Sequence, residues 1–140
     1  MGRKRATEKN EEMAIKLYKE AAEQNHCLSI LNLGVLHEDK ETKEDLIKAI
    51  TFYEKANKLN YSSSMVNLGI IYLNGKKGMI EKNVDLAIVL LEKAANANHP
   101  SALFCLASFY EDESNEKYDI LKAIQYHERG FKIFVKSFCF

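Results

Sequence analysis

The chain repeats itself, and no other feature limits its possible folds so strongly. Leu33-Gly34 returns as Leu68-Gly69 and, altered, as Leu106-Ala107, at spacings of 35 and 38 residues. A second column reads Ala14-Ile15, Ala49-Ile50, Ala87-Ile88 and Ala123-Ile124, spaced 35, 38 and 36 residues. Seven residues after each of those alanines stands Ala21, Ala56, Ala94 or Gly130. A third column is Asn25, Asn60 and Asn98, each followed by His26, Tyr61 or His99. Self-similarity at such a period marks an array in which each unit is one supersecondary element and stacking supplies the core.

The columns read as helices. Residues seven apart lie two turns along one helical face, so the paired small residues mark a side where a neighbouring helix comes close. Leu17, Phe52, Leu90 and Tyr126, three positions after each first alanine, complete an apolar stripe. The asparagines stand where helices stop, because asparagine is second only to glycine in the left-handed conformation that ends a helix. Pro100 suits a first helical turn, where its missing N–H costs nothing. Thr42 followed by Asp45 reads as a capping pair, and Asn10 with Glu11 and Glu12 as a helix start. The pattern predicts helices over 8–24, 28–38, 43–59, 63–74, 82–97, 101–112 and 118–136. The even-numbered ones are short A helices and the odd-numbered ones longer B helices. The fold class expected is all-α, an alpha-alpha superhelix (solenoid) of stacked antiparallel helix pairs, about seven helices in all. The organisation expected is a basic flexible N-terminus over 1–7, one repeat domain over 8–136, and a tail over 137–140. Within that domain a half repeat covers 8–26, and full repeats cover about 27–61, 62–99 and 100–136.

Several residues together carry a family resemblance. Leu68-Gly69-Ile70-Ile71-Tyr72-Leu73-Asn74-Gly75, then Gly78-Met79, Leu86-Ala87-Ile88 and Glu92-Lys93-Ala94-Ala95 with Asn98-His99 resemble a Sel-1-like repeat. That family is similar to the tetratricopeptide proteins, with longer and more variable units. The likeness runs from about Ala14 to Gly130. The family's glycine-rich turn survives only at Gly75 and Gly78; charged loops replace it at 37–44 and 110–117. His37 stands where the other repeats have Tyr72 and Tyr110, and the three asparagines replace a usual glycine. The resemblance implies a protein-binding adaptor or scaffold, without enzyme activity or cofactor, whose partner is a protein or peptide. Some secreted members are hydrolases acting on lactam rings and carry a cysteine pair in each unit. A hydrolase of that type is the alternative reading, and Cys27, Cys105 and Cys139 do not supply such pairs.

Composition narrows the partners. Twenty basic residues balance twenty acidic ones, which gives no electrostatic reason to expect nucleic acid or an anionic membrane; an RNA-binding module is the weaker alternative. Three scattered cysteines suggest reduced thiols and a cytoplasmic location. No apolar run is long enough to span a bilayer. Gly2 lacks the Ser or Thr that a myristoylation signal wants at Ala6. No metal motif occurs: His26 and His99 are two repeats apart, and His37-Glu38 lacks a second histidine at the right spacing. Gly75-Lys76-Lys77-Gly78 reads as a turn between helices, since no strands surround it.

The A helices are apolar almost all round, which means burial on all sides or a binding face. By resemblance to tetratricopeptide repeats they line a concave groove. The groove residues expected are Leu31, Asn32, Val35, Val66, Asn67, Ile70, Leu73, Phe104, Cys105, Ser108 and Glu111. Asn32 and Asn67 stand where some relatives bind a peptide carboxylate, but the third A helix offers no base to complete such a clamp. Phe131, Phe134, Val135 and Phe138 form an apolar stripe near the C-terminus, expected either to fold back as a cap or to be a docking surface, for a second copy in a homo-oligomer or for missing repeats.

Overall fold

In a computed structural model of the chain, residues 2–138 are described. Cys139, read as one of the thiols, and Phe140 lie outside them. Among the described residues there are seven α-helices and no strand: α1 (Gly2–Glu23), α2 (Cys27–Glu38), α3 (Lys43–Lys58), α4 (Ser62–Asn74), α5 (Val84–Asn96), α6 (Pro100–Glu111) and α7 (Ile120–Phe138). The fold is all-α and built of helical repeats, as the periodicity requires.

The capping chemistry accounts for the helix ends. Asn25, Asn60 and Asn98 are left-handed, with φ of 58°, 58° and 59°. At each, the following N–H reaches back to the small residue of the second column. His26 N–H donates to the Ala21 carbonyl, Tyr61 N–H to that of Ala56 and His99 N–H to that of Ala94, all at 3.1 Å. This is the six-to-one bond of a Schellman turn, so one column supplies the acceptor and another the conformation. Thr42 Oγ1 accepts from Asp45 N–H at 3.0 Å and opens α3. Pro100 takes the first position of α6.

Two expectations need correction. The N-terminus is helical from Gly2, because nothing between Gly2 and Asn10 breaks a helix and Arg, Lys, Ala and Glu are good formers. Asn10 therefore lies inside α1 and caps nothing. Helix α5 starts at Val84, where Asn83 Oδ1 accepts from Leu86 N–H at 3.1 Å. The segment from Gly75 ahead of it forms a turn, closed by an isolated bridge between Lys76 and Ile80.

The helices group into two units, Met1–Ser64 and Met65–Phe140. In the first, α2 packs on both α1 and α3 around Ala22, Ile30, Leu33 and Ala56. The Leu-Gly column has a steric cause: a Cβ on Gly34 would stand 2.4 Å from Tyr53 Cε1. Tyr53 reaches past it to donate to Glu38 Oε2 at 2.6 Å. The turn between α2 and α3 is tied by His37 Nδ1 and Asp45 Oδ1 at 2.8 Å. Hydrogen bonds from Thr42 and then His37 hold the Asp45 carboxyl below its ordinary pKa.

The second unit holds the larger core, with Leu91, Ala94, Ala95, Leu103, Leu106 and Tyr110 among its members. A Cβ on Gly69 would come within 2.7 Å of Leu91 Cγ, so α4 and α5 approach as closely as their small residues promised. Asn83 N–H donates to the Tyr72 carbonyl at 2.8 Å, and Asp119 N–H to that of Tyr110 at 2.9 Å. Each helical hairpin is thus closed at the same repeat position. Tyr126 stacks on Tyr110 with ring centroids 5.9 Å apart. Burial, then the nearby Glu92 carboxylate, pushes its hydroxyl up to about 12.

Candidate functional site

The second unit carries an open cleft of about 710 Å³ on the side shared by its A helices. Five of the expected groove residues line it: Ile70 and Leu73 from α4, Phe104, Cys105 and Ser108 from α6. They converge because an A helix presents residues four apart on one side, and α4 and α6 are successive copies of the same element. Its lining is mixed: the apolar Ile70, Leu73, Phe104 and Phe109 stand beside the charged Lys82, Asp85, Asp112 and Lys117. Lys117 Nζ donates to Asp85 Oδ1, and that bond holds the Lys117 ammonium pKa above its usual value. Asp112 accepts from both the hydroxyl and the N–H of Ser114, which lowers its carboxyl. Burial raises the Cys105 thiol, so it is a poor nucleophile and behaves as a small apolar lining group.

The other expected positions are placed differently. Val66 is only 4% exposed and belongs to the core of the second unit; it lines no groove, because α6 packs over it. Asn67 is half-buried and Glu111 is exposed; neither lines the cleft. Glu111 instead pairs with His127 at 3.0 Å. In the first unit Leu31 and Asn32 of α2 are half-buried and Val35 is exposed. Val35 and Ile70 hold equivalent repeat positions, 35 residues apart.

The C-terminal stripe is uncovered. Phe131, Phe134, Val135 and Phe138 are all exposed, and the Phe134 and Phe138 rings are tilted at 53° to each other, with centroids 4.8 Å apart. The fold-back cap expected of them is absent among the described residues: α7 buries Ala123 and packs Tyr126 and Ile133 into the core, leaving the phenylalanines outside. A second groove, of about 470 Å³, runs between α6 and α7 beside them. The sequence reading missed it. The signal lay in Gly130, where the column otherwise has alanine.

The chain matches the Sel1 repeat at residues 2–26, 28–61, 62–99 and 100–131. No curated protein matches it. Two solved structures are similar. One is a Sel1 repeat protein from Oxalobacter formigenes, 25% identical, with a TM-score of 0.71 over 84% of this chain and 48% of that one. The other is a protective antigen of uropathogenic Escherichia coli strains that displays an SLR fold, 25% identical, with a TM-score of 0.73 over 84% of this chain and 25% of that one. The chain thus spans about half the length of the first and a quarter of the second. Four successive matches that take in α1 to α7 leave one assignment: the chain belongs to the Sel1 repeat family.

Proposed function

We propose that the chain is a protein–protein interaction adaptor or scaffold that holds a peptide or helix of its partner against the A helices. Sel1 repeats are commonly an interaction fold. The observation that carries the reading further is the cleft of the second unit. Ile70, Leu73 and Phe104 offer apolar surface to solvent in a lining that also carries charged side chains, and an amphipathic segment suits such a surface. Leu31, Asn32 and Val35 offer the equivalent repeat positions in the first unit.

The experiment is site-specific photocrosslinking. A crosslinker at Ser108, in the cleft, should capture a defined protein from lysate, while one at exposed Lys93 on α5 should not. Capture from Ser108 should fall at least tenfold when Ile70→Glu and Phe104→Glu are added, with the helical circular dichroism unchanged. Equal capture from both positions, or capture indifferent to the double variant, would refute the reading.

A further inference from the structure

A cavity of about 450 Å³ opens where α7 passes the α5–α6 turn, on the far side of α7 from the groove it shares with α6. Its lining is Asn98 from the turn and Arg129, Lys132, Ile133, Lys136 and Ser137 from α7. The α7 residues stand at i, i+3, i+4, i+7 and i+8, which is one face of one helix. A missing stop shapes the site. Helix α5 ends just before the left-handed Asn98. The equivalent Phe134 lies inside α7, which continues to Phe138. Lys136 and Ser137 belong to that added turn, and it walls the cavity beside Asn98.

The charged lining is of one sign, although the chain as a whole is neutral. Arg129 is held in place: it donates to the Ala95 carbonyl at 2.9 Å, and its guanidinium lies 5.8 Å from the centre of the Tyr126 ring. The guanidinium fork carries further N–H groups beyond the one so used. Lys132 and Lys136 form no ion pair among the described residues. They are i, i+4 neighbours, close enough for both ammonium groups to reach one ligand. Glu92 stands in a separate small cavity with Arg129, where it accepts the Tyr126 hydroxyl at 3.3 Å. The Ser137 hydroxyl is engaged, donating to the Ile133 carbonyl at 3.0 Å.

Magnitudes select the ligand. Basic side chains near a helix C-terminus offset its dipole, but the ends of α5 and α7 carry only roughly half a negative charge each. Three full cations exceed that by about two charges. One carboxylate would meet half of the surplus. A phosphoryl group matches it, with about −1.5 to −2 charge at neutral pH and three acceptor oxygens.

We propose that this cavity is an oxyanion site for a phosphoryl group, separate from the cleft on the A helices. Lys132 and Lys136 supply mobile cations, Arg129 a fixed fork and the Asn98 amide a neutral donor.

The test is an NMR titration of the full chain at constant ionic strength with pyrophosphate, with a capped phosphoserine peptide and with acetate. The Asn98, Lys132 and Lys136 amides should shift to saturation with a phosphoryl compound, and acetate should bind at least tenfold more weakly. Lys132→Gln with Lys136→Gln should weaken phosphoryl binding at least tenfold and leave the thermal midpoint unchanged. Lys16→Gln with Lys19→Gln on α1 removes the same charge from exposed positions elsewhere and should leave binding as it was. Preference for pyrophosphate would assign a free phosphorylated ligand, and preference for the peptide a phosphorylated protein; either supports the site. Equal affinity for acetate, shifts that do not saturate, or equal losses in the two lysine pairs would overturn it. Single-stranded RNA binding where neither phosphoryl compound does would make the patch a nucleic-acid surface and overturn it equally.

Discussion

Val66 and Phe104 hold the same place in successive repeats, 38 residues apart, yet Val66 is 4% exposed and Phe104 66%. Their neighbours divide in the same way. Ala95 and Ala94 on α5 are fully buried, while Phe131 and Gly130, their counterparts on α7, border an open groove. The inner surface of the second unit and its outer one are drawn to one plan. The difference is that the inner surface is covered by α6. A repeat position defines a surface, and only a neighbour in space decides whether that surface is core or docking site.

The sharpest way to break the comparison is to put the same charge at both places. Val66→Glu would set a carboxylate among Met65, Leu91 and Leu103 and should cost about 3 kcal/mol or more. Phe104→Glu stands in solvent and should change stability by less than about 0.5 kcal/mol. Urea unfolding of the two variants measures this directly. Equal penalties would mean that α6–α7 is covered in solution.

Filling the small-residue column should divide the surfaces by sign. Ala94→Leu forces three further carbons between α5 and α6 and should destabilise by about 1–3 kcal/mol. Gly130→Leu, one repeat later, sets its Cβ at an ordinary contact distance of 4.0 Å from Leu103 Cβ and replaces a poor helix former with a good one, so it should stabilise by up to about 1 kcal/mol. Thermal midpoints moving in opposite directions would support two copies of one surface in two states. Movement in the same direction would not.

Much of this was legible in the residues. The Ala, Gly and Asn columns are local facts of helix contact and helix ending, so helix number, pairing and caps could be read from spacing. Asn25, Asn60 and Asn98 are where the periodicity put them, each left-handed. Helix α1 was read too short because Asn10 looks like a cap, and no local rule says that the turns before it are helical as well. The cleft was legible in part: Ile70, Leu73, Phe104, Cys105 and Ser108 line it, while Val66, from the same stripe, is core. Helical periodicity says which residues share a face, but not which helix lies over it.

The third column sharpens the comparison at the helix ends. Asn98 closes α5 against α6, whereas α7 runs on past the equivalent Phe134 to Phe138. Asn98→Val should cost about 1–2 kcal/mol, since a β-branched residue resists positive φ, and Asn98→Gly should be neutral or slightly stabilising. Chemical denaturation of the pair tests the cap. Equal tolerance of Val and Gly would remove the reason for the column.

The smallest effect lies in the turns. The α4–α5 turn rests on Gly75, which is left-handed at φ 62° and donates its N–H to the Ile71 carbonyl at 2.9 Å; no side-chain proton enters that bond. The α6–α7 turn rests on Asp112, whose carboxylate accepts the Ser114 N–H at 2.9 Å and the Ser114 hydroxyl at 2.6 Å. Those bonds favour the ionised form and hold the folded pKa below the ordinary 3.8. A carboxyl lowered on folding stabilises the fold above its unfolded value, and that contribution fades as pH falls through the folded value. Acid should therefore loosen the α6–α7 turn and leave the Gly75 bond alone. In an NMR titration from neutral pH downward, the Ser114 amide should shift with a midpoint below that of a free aspartate, and Asp112→Asn should abolish the transition. The Gly75 amide should stay put over the same range. If both amides moved together, the titration would be reporting unfolding of the whole unit, and the two turns would not differ as their chemistry requires.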